Sequence, residues 1–255
     1  MKTIVNSFIL AFAMYSGIPV PQVERNQKNM KYTLCFVPVI GLVTGALLYG
    51  WSRVCAVCSF GQVCFALVGT VIPVIVTGGI HLSGLLYTAD AVYSYKIKEK
   101  RRQRARESGA GVSAVTAGLC FFMLYGAGLT LIWKKSQLLL LALSYIISRA
   151  LSGMSIVWFP AAEEERDISN LFQAADRRTV RGVLVTLLAL AIISAVIIHP
   201  VIGTLMALAA MWVWTYYYYM TKKRFGGVSE DTAGFFLCLC ELSSVLVIGM
   251  VGRVM

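Results

Sequence analysis

The chain has 255 residues, 58% of them hydrophobic and only 14% charged, and its apolar residues come in blocks of about 20, the length a helix needs to cross a bilayer core of about 30 Å. Soluble domains run nearer a quarter charged, so an ordinary soluble domain is excluded and an all-α, polytopic membrane bundle is expected, because lipid offers backbone N–H and C=O groups no partners outside a helix. The net charge of +11 would suit a nucleic-acid binder, but basic residues flanking apolar blocks set membrane topology instead; the expected partner is the lipid bilayer, with no nucleic acid.

From the N-terminus, residues 1–13 echo a signal peptide, but the apolar run continues into Ile18-Pro19-Val20-Pro21. A retained, short membrane or interfacial segment is predicted there. Seven spans follow, at 34–51, 61–82, 112–133, 138–159, 182–198, 201–220 and 234–251. The connections 134–137 and 199–200 are tight and predict helical hairpins. The whole chain, 1–255, reads as one membrane domain. Seven cysteines are spread through it. Cys55 and Cys58 have a spacing seen in zinc and redox motifs, yet no second pair or His cluster accompanies them, and buried Cys behaves as a small hydrophobe.

Alternating the sides of the seven spans sorts the charges. The loops 19–33, 83–111, 160–181 and 221–233 hold 17 of the 23 Lys and Arg residues. The opposite side holds Arg53, Lys134, Lys135 and Arg253. By the positive-inside rule the first side is cytoplasmic, giving a multi-pass cell-membrane protein. Eleven of the 12 carboxylates lie in or beside the same loops, and Glu241 lies within the last span.

Three places carry residues suited to chemistry. The segment from Thr77 to Asp90 holds Gly78, Gly79, His81 and Asp90 at a span end, where glycines permit close backbone approach. Arg149 lies mid-span; an intramembrane Arg needs a partner or a water-filled cavity, and Glu241 is the strong charge at comparable depth, which predicts an Arg149–Glu241 pair. Third, Phe225 to Gly234 is a Gly-rich acidic turn, with Gly226, Gly227, Glu230 and Asp231, that opens the last helix. Its carboxylates suit a hard cation such as Mg²⁺, or equally a helix cap. The tyrosine run Tyr216–Tyr219, beside Trp212 and Trp214, reads as an aromatic belt.

Those places, in that order, resemble the cobalamin synthase family. Its first signature looks like G-G-[hydrophobic]-H-[hydrophobic]-D-G-x-x-D-T-x-D, and residues Gly78 to Asp90 occupy it with Ser83 and Tyr87 at two of the acidic positions. Lys100-Arg101 and the run Arg106-Glu107-Ser108-Gly109-Ala110-Gly111 are similar to its basic stretch and its K-D-x-x-x-G element. Ile18 to Pro21, Phe36 to Gly41, Ser148-Arg149 and the Gly226–Glu241 region extend the likeness over nearly the whole chain.

The resemblance implies a ribazoletransferase with a cytoplasmic active face, Mg²⁺ as cofactor, and corrinoid nucleotide and ribazole as substrates. It implies His81, Asp90 and Arg149 as catalytic residues. Gly78, Gly79, Lys100, Arg101, Arg106, Gly226 and Gly227 would bind substrate, and Asp90, Asp231 and Glu107 would hold the metal. Ser83 and Tyr87 leave an alternative open, a non-catalytic relative that binds corrinoid or an active paralogue, with a transporter behind it. Homo-oligomerisation is left open.

Overall fold

The computed structural model describes residues 2–94, 111–162 and 166–254. In chain order the helices are α1 (Lys2–Tyr15), α2 (Gln27–Met30), α3 (Thr33–Val57), α4 (Gln62–Thr77), α5 (Ile80–Ser94), α6 (Val112–Thr130), α7 (Lys135–Trp158), α8 (Arg166–Ala174), α9 (Arg177–Ile198), α10 (Pro200–Met220) and α11 (Glu230–Val254). A π-helical turn, Thr221–Phe225, extends α10. No strand occurs among the described residues; the one extended pairing is an isolated parallel bridge between Ala161 and Val228.

Six helices (α3, α6, α7, α9, α10 with its extension, and α11) are long and apolar enough to cross a membrane, and α4 with α5 passes the same test as one span bent by 95°. The protein is therefore a multi-pass membrane bundle with up to seven crossings. The expectation of one continuous helix over 61–82 is corrected. The helix stops at Thr77 because Gly78 and Gly79 take φ of 61° and 78°, a region that only glycine enters without steric cost. Gly78 then closes α4 by donating its N–H to the Ile75 and Val74 carbonyls.

Contacts at the two ends show that the bent pair crosses the bundle. At one end Trp51 Nε1 donates to the Phe65 carbonyl (3.2 Å), the Phe65 ring meets Trp133, and Gly252 lies against Gln137. At the other end the Asp176 N–H donates to Lys31 O, Ala161 pairs with Val228, and Asp90 lies against Gly111 at the start of α6. The α4–α5 segment starts among the first set and finishes among the second. A re-entrant loop would return to the end it came from.

Caps match local sequence. Asp176 accepts from the Thr179 N–H (3.3 Å) and opens α9, which holds its carboxyl below the usual carboxylate range. His199 Nδ1 accepts from Ile202 N–H, with Pro200 at the first helical position of α10, where a missing N–H costs nothing.

The bundle is built around α7, which is the most enclosed span and packs most heavily against α3 and α9. Small residues let the backbones close: a Cβ on Gly45 would fall 2.7 Å from Ala142 Cα, the close approach that drives helix association in lipid.

The N-terminal segment does not cross. Asn6 and Ser7 of α1 hydrogen-bond to Asn29 of α2, beside the start of α3. The far end of α1 reaches the α4 terminus, where Gly17 N–H donates to Val76 O (2.9 Å) and Phe12 packs with Ile40 and Val76. Ile40 is seven residues into α3, about 10 Å along its axis. Residues 18–26 then return without helix or strand to the Asn26 cap of α2. Irregular backbone at such depth is tolerated only against protein or water, and Pro19 and Pro21 remove two N–H groups that would otherwise need partners.

Candidate active site

The site starts from the break in the second span. The Gly78–Gly79 elbow frees α5 to swing onto the first turns of α11, where glycines on both helices permit direct backbone contact. A Cβ on Gly84 would fall 2.5 Å from the Asp231 carbonyl and 3.0 Å from Gly234 Cα; one on Gly234 would fall 2.9 Å from the His81 carbonyl. That carbonyl also accepts from Cys238 Sγ (3.4 Å). The crossing brings the His81 and Asp231 backbones together across one contact. Ser229 Oγ accepts from Thr232 N–H and caps α11, with Glu230 and Asp231 in its first turn, where the helix dipole favours negative charge.

Asp90 is six residues beyond Gly84, about 9 Å along α5. It is 4% exposed, and its carboxylate lies against Gly111, at the positive end of α6. The first signature and the K-D-x-x-x-G-like element thus meet at their far ends. Thr88, two residues earlier, is fully buried, and its hydroxyl has no hydrogen-bond partner among the described residues. Ser83 donates its hydroxyl to Ile80 O (2.8 Å), and Ser83 and Tyr87 are both half-buried. Lys100, Arg101, Arg106 and Glu107 lie outside the described residues.

Gly226 and Gly227 have a structural reason of their own. Gly226 has φ 83° and ends the π-helical turn, and Gly227 passes so close to the Ala161 backbone that no Cβ would fit. The Ala162 N–H to Val228 O and Val228 N–H to Pro160 O bonds then join the two loops.

Arg149 lies deeper, on a cavity that His81 of the crossing also walls. It is 1% exposed, and its Nη1 donates to Glu241 Oε1 (2.5 Å), Ser148 Oγ (3.1 Å) and Tyr145 O (3.3 Å), so the pair foreseen from the sequence is formed. Its Nε and Nη2 have no partner among the described residues. A cavity of about 20 Å³ adjoins them, walled by Thr70, Thr77, His81, Tyr125, Arg149 and Glu241; it has room for about one water. His81 is 8% exposed and belongs to that wall.

Two groups escaped the sequence reading. Tyr125 and Tyr145 share a 2.5 Å hydroxyl contact beside the ion pair, and Gly17 wedges against Gly78. A signal existed for the tyrosines, since hydroxyls deep in apolar spans seek partners on neighbouring helices. Nothing in the sequence pairs Gly17 with Gly78.

The cobalamin-5-phosphate synthase family model matches residues 7–249. The chain belongs to that family. Similar relatives include the adenosylcobinamide-GDP ribazoletransferase of Lachnoclostridium phytofermentans, 32% identical over 95% of this chain and 93% of the relative. The enzyme of the same name from Clostridium perfringens strain ATCC 13124 is 27% identical over 98% of this chain and all of the relative; that of Roseiflexus sp. is 30% identical over 90% and 82%. No solved structure matches the chain. In this cobalamin synthase relative, the elbow, the α5–α11 crossing and the α6 N-terminus bring the first signature against the start of α11 and against Gly111.

Proposed function

We propose that this chain is an adenosylcobinamide-GDP ribazoletransferase that works at the cytoplasmic face of the cell membrane. The observation that carries the reading is the α5–α11 crossing, which sets Gly84 of the first signature directly on the Asp231 backbone in a chain whose family is established over nearly its full length. A hydroxyl oxygen of ribazole, or of its 5′-phosphate, attacks the cobinamide-linked phosphorus. The bond from that phosphorus to the bridging diphosphate oxygen breaks, and GMP leaves with it. The hydroxyl proton goes to water or to the leaving phosphate. A loose phosphoryl-transfer transition state asks little of a base, so positioning and charge neutralisation dominate.

Asp231, on the first turn of α11, and Asp90, on α5 against Gly111 at the start of α6, are the described carboxylates suited to that end. Among the described residues no group of three or more His, Cys, Asp or Glu side chains comes together. Mg²⁺ commonly takes only one or two protein carboxylates and shares the rest of its shell with substrate phosphates and water; Asp90 and Asp231 would hold it, and Glu107 is the further candidate. The ion would supply neutralisation of the diphosphate charge. For His81, burial favours orienting α5 over direct proton abstraction. Arg149, enclosed and paired with Glu241, acts as a positioning residue for the crossing. Cytoplasmic placement is supported by the 17-to-4 division of basic residues and the positive-inside rule.

The test is GMP release by the purified protein in lipid, with adenosylcobinamide-GDP, α-ribazole and Mg²⁺. Absence of release at any Mg²⁺ concentration, from protein that still binds the corrinoid, would turn the reading into that of a binding relative. Sidedness is tested by labelling single cysteines at Ser108 and Ser169 in a cysteine-free background; reaction from opposite faces overturns the topology.

A further inference from the structure

Among the described residues, the end opposite the basic loops contains no Asp or Glu, so Arg53, Lys134, Lys135 and Arg253 meet no described acidic side chain there. Arg53 and Lys135 converge on one cleft of about 110 Å³ between the last turns of α3, the start of α4 and the α6–α7 turn. That is several times the ~30 Å³ share of one water. Tyr49 and Trp133 line the same cleft, and Phe65 and Leu138 are part of its apolar wall. Aromatic residues of this kind mark the headgroup level of a membrane protein, so two cations face a cleft at the depth where lipid phosphates lie.

We propose that this cleft binds the phosphodiester of an anionic phospholipid from the leaflet opposite the active face. Arg53 and Lys135 meet the phosphate, and the apolar wall takes the glycerol and the first part of an acyl chain. Charge complementarity selects the lipid class. A zwitterionic headgroup brings an ammonium that finds no acidic side chain lining this cleft, whereas an anionic headgroup brings only charge that Arg53 and Lys135 can answer. A free phosphate ion would leave the apolar wall unused. Basic clefts between membrane helices are an established way to hold such headgroups.

The experiment uses the full chain, delipidated in detergent, with thermal unfolding and native mass spectrometry as readouts. Phosphatidylglycerol, phosphatidylcholine of the same chains and inorganic phosphate are added separately. Phosphatidylglycerol should be retained and raise Tm, phosphatidylcholine should do so much less, and phosphate should do nothing. Arg53→Gln combined with Lys135→Gln should weaken phosphatidylglycerol retention roughly 30-fold. Arg253→Gln, at the same end but outside the cleft, should leave it unchanged. Arg53→Lys with Lys135→Arg keeps both charges and should keep the lipid, even if the neutral pair proves unstable. Equal retention of the two lipids, or retention untouched in the neutral pair, overturns the proposal. So does a Tm rise reproduced by phosphate alone, which would mark a small-anion site.

Discussion

α7 runs unbroken from Lys135 to Trp158 with Arg149 sealed inside the bundle, whereas the chain from Gln62 to Ser94 breaks at Gly78–Gly79 and turns by 95°. Both carry ionisable groups below the headgroups. In α7 the charge is met by Glu241 from a neighbouring helix, so the backbone has no reason to depart from a helix. In the broken span the backbone itself gives way, and His81, Gly84 and Asp90 are carried on a new helix laid across the start of α11. A charge deep in the membrane can thus be met without any break in its helix, whereas the interruption of a helix, with positive-φ glycines to allow it, leaves backbone that protein or water must cover, because lipid-exposed backbone cannot be left open.

The largest test of this contrast is removal of one partner of the ion pair. Glu241→Ala strands Arg149 and should cost about 3–5 kcal/mol of stability, read as a fall in Tm in detergent. Arg149→Leu with Glu241→Leu should cost clearly less, and a double variant as damaged as the single one would show that the pair is not the unit.

Next comes Asp231→Asn. It should lower GMP release roughly 100-fold with little change in Tm, since Asp231 is half-exposed at a helix terminus. A loss of stability matching the loss of rate would assign it to capping instead.

Smaller again is Gly84→Ala, whose methyl would sit 2.5 Å from Asp231 O. Overpacking of this kind costs about 1–3 kcal/mol, and GMP release should fall with it. Gly182→Ala in α9, where nothing lies within 4 Å, is the contrast and should be neutral or slightly stabilising.

The smallest effect is expected from Ser83→Asp with Tyr87→Asp. Two added carboxylates on α5 should raise the rate a few-fold and lower the Mg²⁺ requirement, measured across a Mg²⁺ titration. An unchanged titration would show that these positions are dispensable in this chain.

Hydropathy alone located the spans, since each apolar block must become a helix in lipid. Charge then predicted the Arg149–Glu241 pair, because only one acid lies at that depth. The elbow was less legible. Its glycines were visible, but glycine is also common inside membrane helices, and nothing local says that Gly78 and Gly79 adopt positive φ. The crossing of α5 on α11 joins residues some 150 positions apart, and it rests on the absence of side chains at Gly84 and Gly234, which leaves no hydrophobic pattern to read. The short helix α8 carries Ile168, Leu171 and Phe172 at helical spacing, a pattern that marks one helix face within the 160–181 loop, whereas the return of the chain from α1 to α2 is fixed by contacts between segments and not by periodicity. Gly226 and Gly227 carry a structural demand that the sequence does not announce: Gly226 takes a positive φ and Gly227 passes close to the Ala161 backbone.

The dependence of α5 on α11 has a consequence for how the protein is made. Membrane helices are handed to the bilayer as they are synthesised, and residues 61–82 leave the ribosome as one apolar stretch long before α11 exists. The surface that draws α5 aside, with Gly234 and Cys238 against the His81 carbonyl, arrives only with the last helix in the chain. The α5–α11 contact is thus completed only once the last helix is in place, and a chain lacking α11 should carry every other span and still lack the crossing.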